Sequence, residues 1–208
     1  MLHLETVEPS TLMLLRRLQR LQVLADTRLV GGTALALQLG HRTSVDLDIF
    51  GKWDYSEDLF HSFSGIGETV LASRKPDGRM QFFFVNGVKV DCVSYERYAW
   101  LEPPVEEDGV RLAGIQDIAA MKINAITNRG TRKDFVDVAR LMDNCCLSEM
   151  FKWYLAKYKD ANPALAVRSL SYFEDAEAMP MPKMLMPFDW EETKRRILSS
   201  VRQLVVEG

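Results

Sequence analysis

The stretch LVGGTALALQLGHRTSVDLDIF, residues 29–50, decides how the chain is read. TRLVG, at 27–31, has the composition of a short strand, and Gly31-Gly32-Thr33 turns it into an apolar segment too short for anything but a small helix. That helix is predicted over Thr33–Leu39, stopped by Gly40, and a second strand follows in SVDLDIF, residues 44–50. A strand, a glycine turn, a helix and a returning strand form the unit from which the rest of the fold extends.

Asp46 and Asp48 stand two apart on the predicted strand, so they share one face with Cα atoms about 6.5 Å apart. Ser44 lies on that face, and Val45, Leu47 and Ile49 are expected on the opposite, apolar one. Two carboxylates on one strand face repel each other unless water or a cation lies between them. An edge strand facing water can also carry such a pair without any role. The Gly31-Gly32-Thr33 turn has two readings as well. Glycine lets the backbone approach a ligand closely, and helix N-terminal amides attract anions, so the turn suits a phosphate. Thr33 alone could serve as an ordinary N-cap.

Further along, residues 9–25 place Leu14, Leu15, Leu18, Leu21 and Leu24 at helical spacing behind Pro-Ser-Thr, and Arg16, Arg17 and Arg20 are expected on a solvated face. Residues 56–64 read as helix and 68–74 as strand. In RMQFFFVNGVKVDCVSY, Asn86-Gly87 between two β-rich runs predicts a hairpin. Phe82, Phe83 and Phe84 are expected to pack as strand core rather than to stack on bases. LEPPVEEDG, with two prolines and four acids, suits neither a buried strand nor a helix interior, and the domain boundary is placed there, at about residue 112. Beyond it, helices are predicted over 115–129, 132–145, 148–160, 163–177 and 189–206, with the proline-rich MPMPKMLMP as an extended connector. The fold class is therefore α/β (α+β): a mixed sheet with flanking helices in residues 1–112, and a helical domain in 113–208.

Composition narrows the class without naming a ligand. With 208 residues, 47% of them hydrophobic, the chain can bury a sizeable core, and a net charge of -3 provides no global basic field for nucleic acid. Three cysteines, two of them adjacent at Cys145-Cys146, fit neither a disulfide framework nor a zinc spacing. No stretch has the roughly 18 apolar residues of a membrane span, so a cytoplasmic location is expected. Lys122, Arg129, Arg132 and Lys133 form a local basic run. His41, just past Gly40, is expected as an exposed loop residue.

Asp91, in the second strand of the predicted hairpin, points the same way as Lys89 and Val93. An acid among β-branched residues needs a partner. If its strand neighbours SVDLDIF, three carboxylates meet beside the glycine turn, a set of hard oxygen ligands suited to Mg²⁺ with a substrate phosphate.

The Gly-Gly-Thr turn, the short helix, RTSVDLDIF and a later strand aspartate together resemble the polymerase-beta-like nucleotidyltransferase superfamily. Within it, HRTSVDLDIF with MKINAITNRGTRKDFVDVARL is similar to the nucleotidyl transferase AbiEii/AbiGii toxin family, over roughly residues 29–142. The resemblance implies an enzyme that moves a nucleoside monophosphate from an NTP to a hydroxyl, in a cleft between the two domains. It implies metal ligation by Asp46, Asp48 and Asp91, and nucleotide binding by Gly31, Gly32, Thr33, Arg42, Ser44 and Lys122. Two Mg²⁺ ions are expected, about 3.5–4 Å apart. Lys122 would meet phosphate charge, and the acid of the last motif falls on Asp134, with Asp137 as second choice. The acceptor implied is RNA, at a tRNA 3′ end, and the partner a cognate antitoxin. A small-molecule nucleotidyltransferase and a silent nucleotide-binding module are the alternatives. A narrow acidic acceptor pocket would favour the former. Absence of turnover would favour the latter.

Overall fold

The computed structural model describes residues 1–53, 59–75 and 77–207. The chain divides into two units, Met1–Ala99 with Pro103–Ala113, and Trp100–Glu102 with Gly114–Gly208. The first contains α1 (Pro9–Leu18), β1 (Thr27–Val30), α2 (Gly31–Leu39), β2 (Leu47–Gly51), α3 (Leu59–Ser64), β3 (Thr69–Arg74), β4 (Met80–Val85), β5 (Val88–Ser94), β6 (Val105–Glu107) and β7 (Val110–Leu112). Among the described residues seven strands form one mixed sheet in the order β3-β4-β5-β2-β1-β7-β6.

The centre of that sheet positions the carboxylates. β2 runs antiparallel to β1, with Val30 opposite Asp48, and parallel to β5, with Asp48 opposite Asp91. Leu29, Leu47, Ile49, Val90 and Cys92 are buried, so the strands alternate as a half-apolar sheet requires. β4 and β5 join through Asn86-Gly87, both with positive φ (50° and 78°), the twist that a two-residue hairpin turn demands. Phe83 is buried and Phe84 exposed, so the phenylalanine run is core on one face only.

Several expectations are corrected by tertiary contacts. The helix expected over 9–25 ends at Leu18. The Gln19 and Arg111 side chains bond across to each other's backbone, and Arg111 also takes the Leu24 carbonyl, so this segment turns away from the helix axis and leaves Leu21 half-buried. The strand expected over 44–50 begins only at Leu47. Val45, expected on the apolar face, is 62% exposed because the alternation does not extend into the loop before β2. LEPPVEEDG contains β6 and turns into β7 through Asp108-Gly109 (φ 52° and 75°), the same turn chemistry as Asn86-Gly87, here between strands of only three residues. His41 is buried, not exposed. The chain folds back at Gly40, His3 lies against that glycine, and the amide of Ser44 bonds to the Thr6 carbonyl, so the N-terminal segment covers the loop. Of the helix expected over 56–64, residues 56–58 lie outside the described residues.

The second unit is helical: α4 (Ile115–Asn128), α5 (Arg132–Leu141), α6 (Leu147–Lys157), α7 (Pro163–Leu170), α8 (Glu174–Glu177) and α9 (Trp190–Glu207). α5 stops four residues short of the expected end, and the helix expected over 163–177 is broken into α7 and α8 around Phe173, which packs on Phe135 at 4.7 Å. Asp117 and Lys157, fully buried and 2.6 Å apart, anchor this unit. The Asp117 carboxylate also accepts the amides of Leu101 and Glu102, and the Lys157 ammonium lies 4.6 Å from the Trp100 ring centroid. These contacts explain why residues 100–102 belong with the helices. Among the described residues no helix is long and apolar enough to cross a membrane.

Candidate active site

The β1–α2 turn is built around two missing side chains. Gly31 has φ +68°, and a Cβ there would lie 2.4 Å from Oδ2 of Asp48. A Cβ on Gly32 would lie 2.3 Å from Nη2 of Arg42. Both glycines therefore allow a charged group to rest on the backbone, a carboxylate on one and a guanidinium on the other. The placement of Asp48 follows from the register that sets it opposite Val30, the residue before the turn.

Arg42 is 3% exposed and donates from Nη1 to the Thr43 carbonyl at 3.0 Å. The guanidinium thus sits beside the N-terminal end of α2. Val30, the residue capping α2, provides no side-chain acceptor to the first turn.

Thr33 is not the N-cap, because the helix starts two residues before it. Its hydroxyl is hydrogen-bonded within 2.8 Å of Ser44 Oγ and also to the carbonyl of Asp46, which ties α2 to the loop entering β2. Thr33 and Ser44 thus brace the loop that delivers Asp46.

Asp48 and Asp91 are direct neighbours on adjacent parallel strands. Strand spacing places their Cα atoms about 4.8 Å apart with side chains on the same face. Oδ2 of Asp91 accepts from Lys89 Nζ at 2.6 Å, while Oδ1 is buried and has no hydrogen-bond partner among the described residues. A buried carboxylate oxygen left without a donor is costly, and a cation would satisfy it. Asp46 lies before the ladder. Among the described residues no three acidic, histidine or cysteine side chains converge as a metal-binding group, so the structure assembles the pair Asp48–Asp91 and leaves Asp46 beside it.

Lys89 was legible as a same-face neighbour of Asp91 but carried no expectation. Burial acts to lower its pKa, yet the hydrogen bond and charge of Asp91, with the charges of Asp48 and Asp46, hold the ammonium above the ordinary lysine value.

Lys122, Asp134 and Asp137 meet in the second unit. The ammonium lies 3.1 Å from Asp134 Oδ1 and 2.6 Å from Asp137 Oδ2, so it engages both candidates for the last acidic motif. Lys122 is only 4% exposed, and both carboxylates are fully buried. Asp134 also accepts from Arg129 at 2.9 and 3.1 Å and from the Thr131 hydroxyl at 2.5 Å. Burial opposes its ionisation but is outweighed by Lys122, Arg129 and Thr131, which pull its pKa down to about 2. Arg132 bonds to the Ala176 and Glu177 carbonyls and lies 5.0 Å from the Trp190 ring centroid. Of the basic run, Lys122, Arg129 and Arg132 thus hold internal acceptors, and Lys133 is exposed.

Residues 13–203 match the family described as nucleotidyl transferase AbiEii toxin, of type IV toxin–antitoxin systems. An uncharacterised protein of Aquifex aeolicus (strain VF5) is 34% identical over 197 residues, covering 91% of this chain and 93% of that protein. Among solved structures, the nucleotidyltransferase toxin MenT4 of Mycobacterium tuberculosis H37Rv is similar with a TM-score of 0.64 at 15% identity, covering 92% of this chain and 80% of that one. JHP933 from Helicobacter pylori is similar with a TM-score of 0.53 at 14% identity, covering 97% and 94%. At these identities the two structures speak for the fold.

Proposed function

From the premise that the chain belongs to the nucleotidyl transferase AbiEii toxin family and is a nucleotidyltransferase, we propose that it transfers a nucleoside monophosphate from an NTP to a hydroxyl of RNA, with Mg²⁺ as cofactor. The observation that carries the reading is the pair Asp48–Asp91 set across one strand register beside Gly31-Gly32, with Asp91 Oδ1 buried and lacking a hydrogen-bond donor among the described residues.

In this reading Asp48 and Asp91 would hold the metal, with Asp46 in the loop just before β2. The donor set is oxygen only, as Mg²⁺ prefers. When bound, the dications supply positive charge that favours deprotonation of the acceptor hydroxyl and stabilises the departing pyrophosphate. Gly32 seats the Arg42 guanidinium at the first turn of α2, where it would supply a fixed positive charge for the triphosphate. The acceptor oxygen forms a bond to the α-phosphorus, the bridging bond to the β-phosphate breaks, and the acceptor proton is lost to solvent as pyrophosphate leaves. Thr33 and Ser44 act by holding the loop in place.

A toxin has to modify something that growth depends on, and a tRNA 3′ hydroxyl is such an acceptor. The family's description as part of a toxin–antitoxin system supports a cognate antitoxin as partner. The test is incubation of the purified protein with labelled NTPs, Mg²⁺, total RNA and a panel of hydroxylated small molecules, with Asp48→Ala as control. Label on RNA of tRNA size, lost in the variant, is the expected result. Label on a small molecule alone overturns the RNA acceptor.

A further inference from the structure

Two β5 side chains, Lys89 and Asp91, share one sheet face and are joined at 2.6 Å. The geometry assigns Lys89 a role in the metal chemistry of the site: it is a resident counter-cation that holds Asp91 in the ligand-free protein and competes with the divalent ion for that carboxylate. This rests on the reading of Asp48 and Asp91 as metal ligands, and makes Lys89 a positioning residue whose charge sets how tightly the metal binds.

Three features carry the inference. First, Asp48 and Asp91 are register partners, and two carboxylates so placed repel each other unless a positive charge is near. Lys89 supplies that charge, its ammonium 2.6 Å from Asp91 Oδ2. Second, the two oxygens of Asp91 are in different states. Oδ2 carries the ammonium, whereas Oδ1 is buried and has no hydrogen-bond donor among the described residues. One lysine therefore satisfies one oxygen of the carboxylate and leaves the other without a compensating group among the described residues. Third, the Lys89 side chain is 44% exposed while that of Asp91 is 14% exposed, so the lysine reaches in from water on a flexible stem and can return to water at little cost.

A dication that binds Asp91 finds an ammonium on the same carboxylate. The two positive charges repel at close range, so the metal must displace Lys89 or bind beside it with reduced affinity. Either way, removing the lysine charge tightens metal binding. The same removal leaves the carboxylates uncompensated when no metal is present and lowers the stability of the ligand-free protein.

The test is titration of the full chain with Mn²⁺ alone, free ion being followed by electron paramagnetic resonance, in wild type, K89Q, K89R and D91N, with the thermal midpoint of each measured with and without metal. K89Q retains a hydrogen-bond donor for Asp91 but has no charge, so it isolates the charge from packing. Its Kd for Mn²⁺ is expected to fall about tenfold. Its metal-free midpoint should fall below wild type and recover at saturating Mn²⁺. K89R keeps the charge and should retain the wild-type Kd and midpoint. An unchanged or weaker Kd in K89Q, with wild-type binding that D91N abolishes, overturns the role of Lys89 and leaves the metal site standing. Absence of Mn²⁺ binding in wild type and K89Q alike, or binding that D91N leaves intact, overturns both.

Discussion

Replacing Asp134 by Asn removes a fully buried charge without changing the side chain's shape, and the structure sets the size of the effect. The carboxylate accepts from Lys122, Arg129 and Thr131, and its pKa is about 2 against an ordinary 3.8. That difference of nearly two units corresponds to about 2 kcal/mol of folding stability at neutral pH. Removing one anion from beside the buried Lys122 ammonium raises the loss toward about 4 kcal/mol. The sign follows from a folded-state pKa lying below the unfolded one. The stabilisation is fully present above the ordinary carboxylate range and is lost as pH falls from about 4 toward 2. Urea unfolding followed by far-UV circular dichroism should therefore show D134N about 2–4 kcal/mol less stable than wild type at pH 7. The gap should shrink progressively as pH falls from about 4 toward 2, where the unfolded-state carboxylate takes up its proton first and the folded-state one last. A gap that stays constant over that range, or none at pH 7, would refute the stabilising role of the contacts Asp134 makes with Lys122, Arg129 and Thr131.

Other consequences are open to measurement. Gly31→Ala forces a Cβ onto a residue with φ +68° and onto Asp48 Oδ2. The backbone penalty of about 1–2 kcal/mol should lower the thermal midpoint by several degrees, and displacement of Asp48 should cut nucleotide transfer about 100-fold; a variant with wild-type midpoint and rate contradicts the proposed use of the turn. Asp117→Asn breaks the buried pair with Lys157 and should cost about 3–5 kcal/mol. The double replacement Asp117→Asn with Lys157→Met should be less destabilised than the sum of its parts, since the cycle removes the uncompensated ammonium. Strict additivity would show that the pair is energetically unimportant.

The parts of the fold that could be read from residues alone are those whose chemistry is local. Asn86-Gly87 announced its hairpin because only a few residues accept two successive positive φ values, and the alternation of β5 placed Lys89 and Asp91 on one face. Asp108-Gly109 carries the same local signal, but three-residue strands and flanking glutamates obscured it. The spacing of Asp46 and Asp48 was visible. Where β2 starts was not, because that depends on the brace between Thr33, Ser44 and the Asp46 carbonyl across the turn. Lys122 had no sequence signal for burial, since lysine is among the residues least often buried unless paired. Its partners on α5 become visible only when the helices pack. The burial of His41 likewise depends on residues 3–6 folding over a loop almost forty positions away.

The central claim is transfer of the nucleotide itself, and one measurement addresses it most directly. The protein is incubated with total RNA, Mg²⁺ and NTPs labelled either at the α- or at the γ-phosphate, with Asp91→Asn in parallel. Acid-insoluble label is expected from the α-position only, with γ-label released as pyrophosphate and both signals lost in the variant. Incorporation of γ-label, or α-label that persists undiminished in Asp91→Asn, would contradict it.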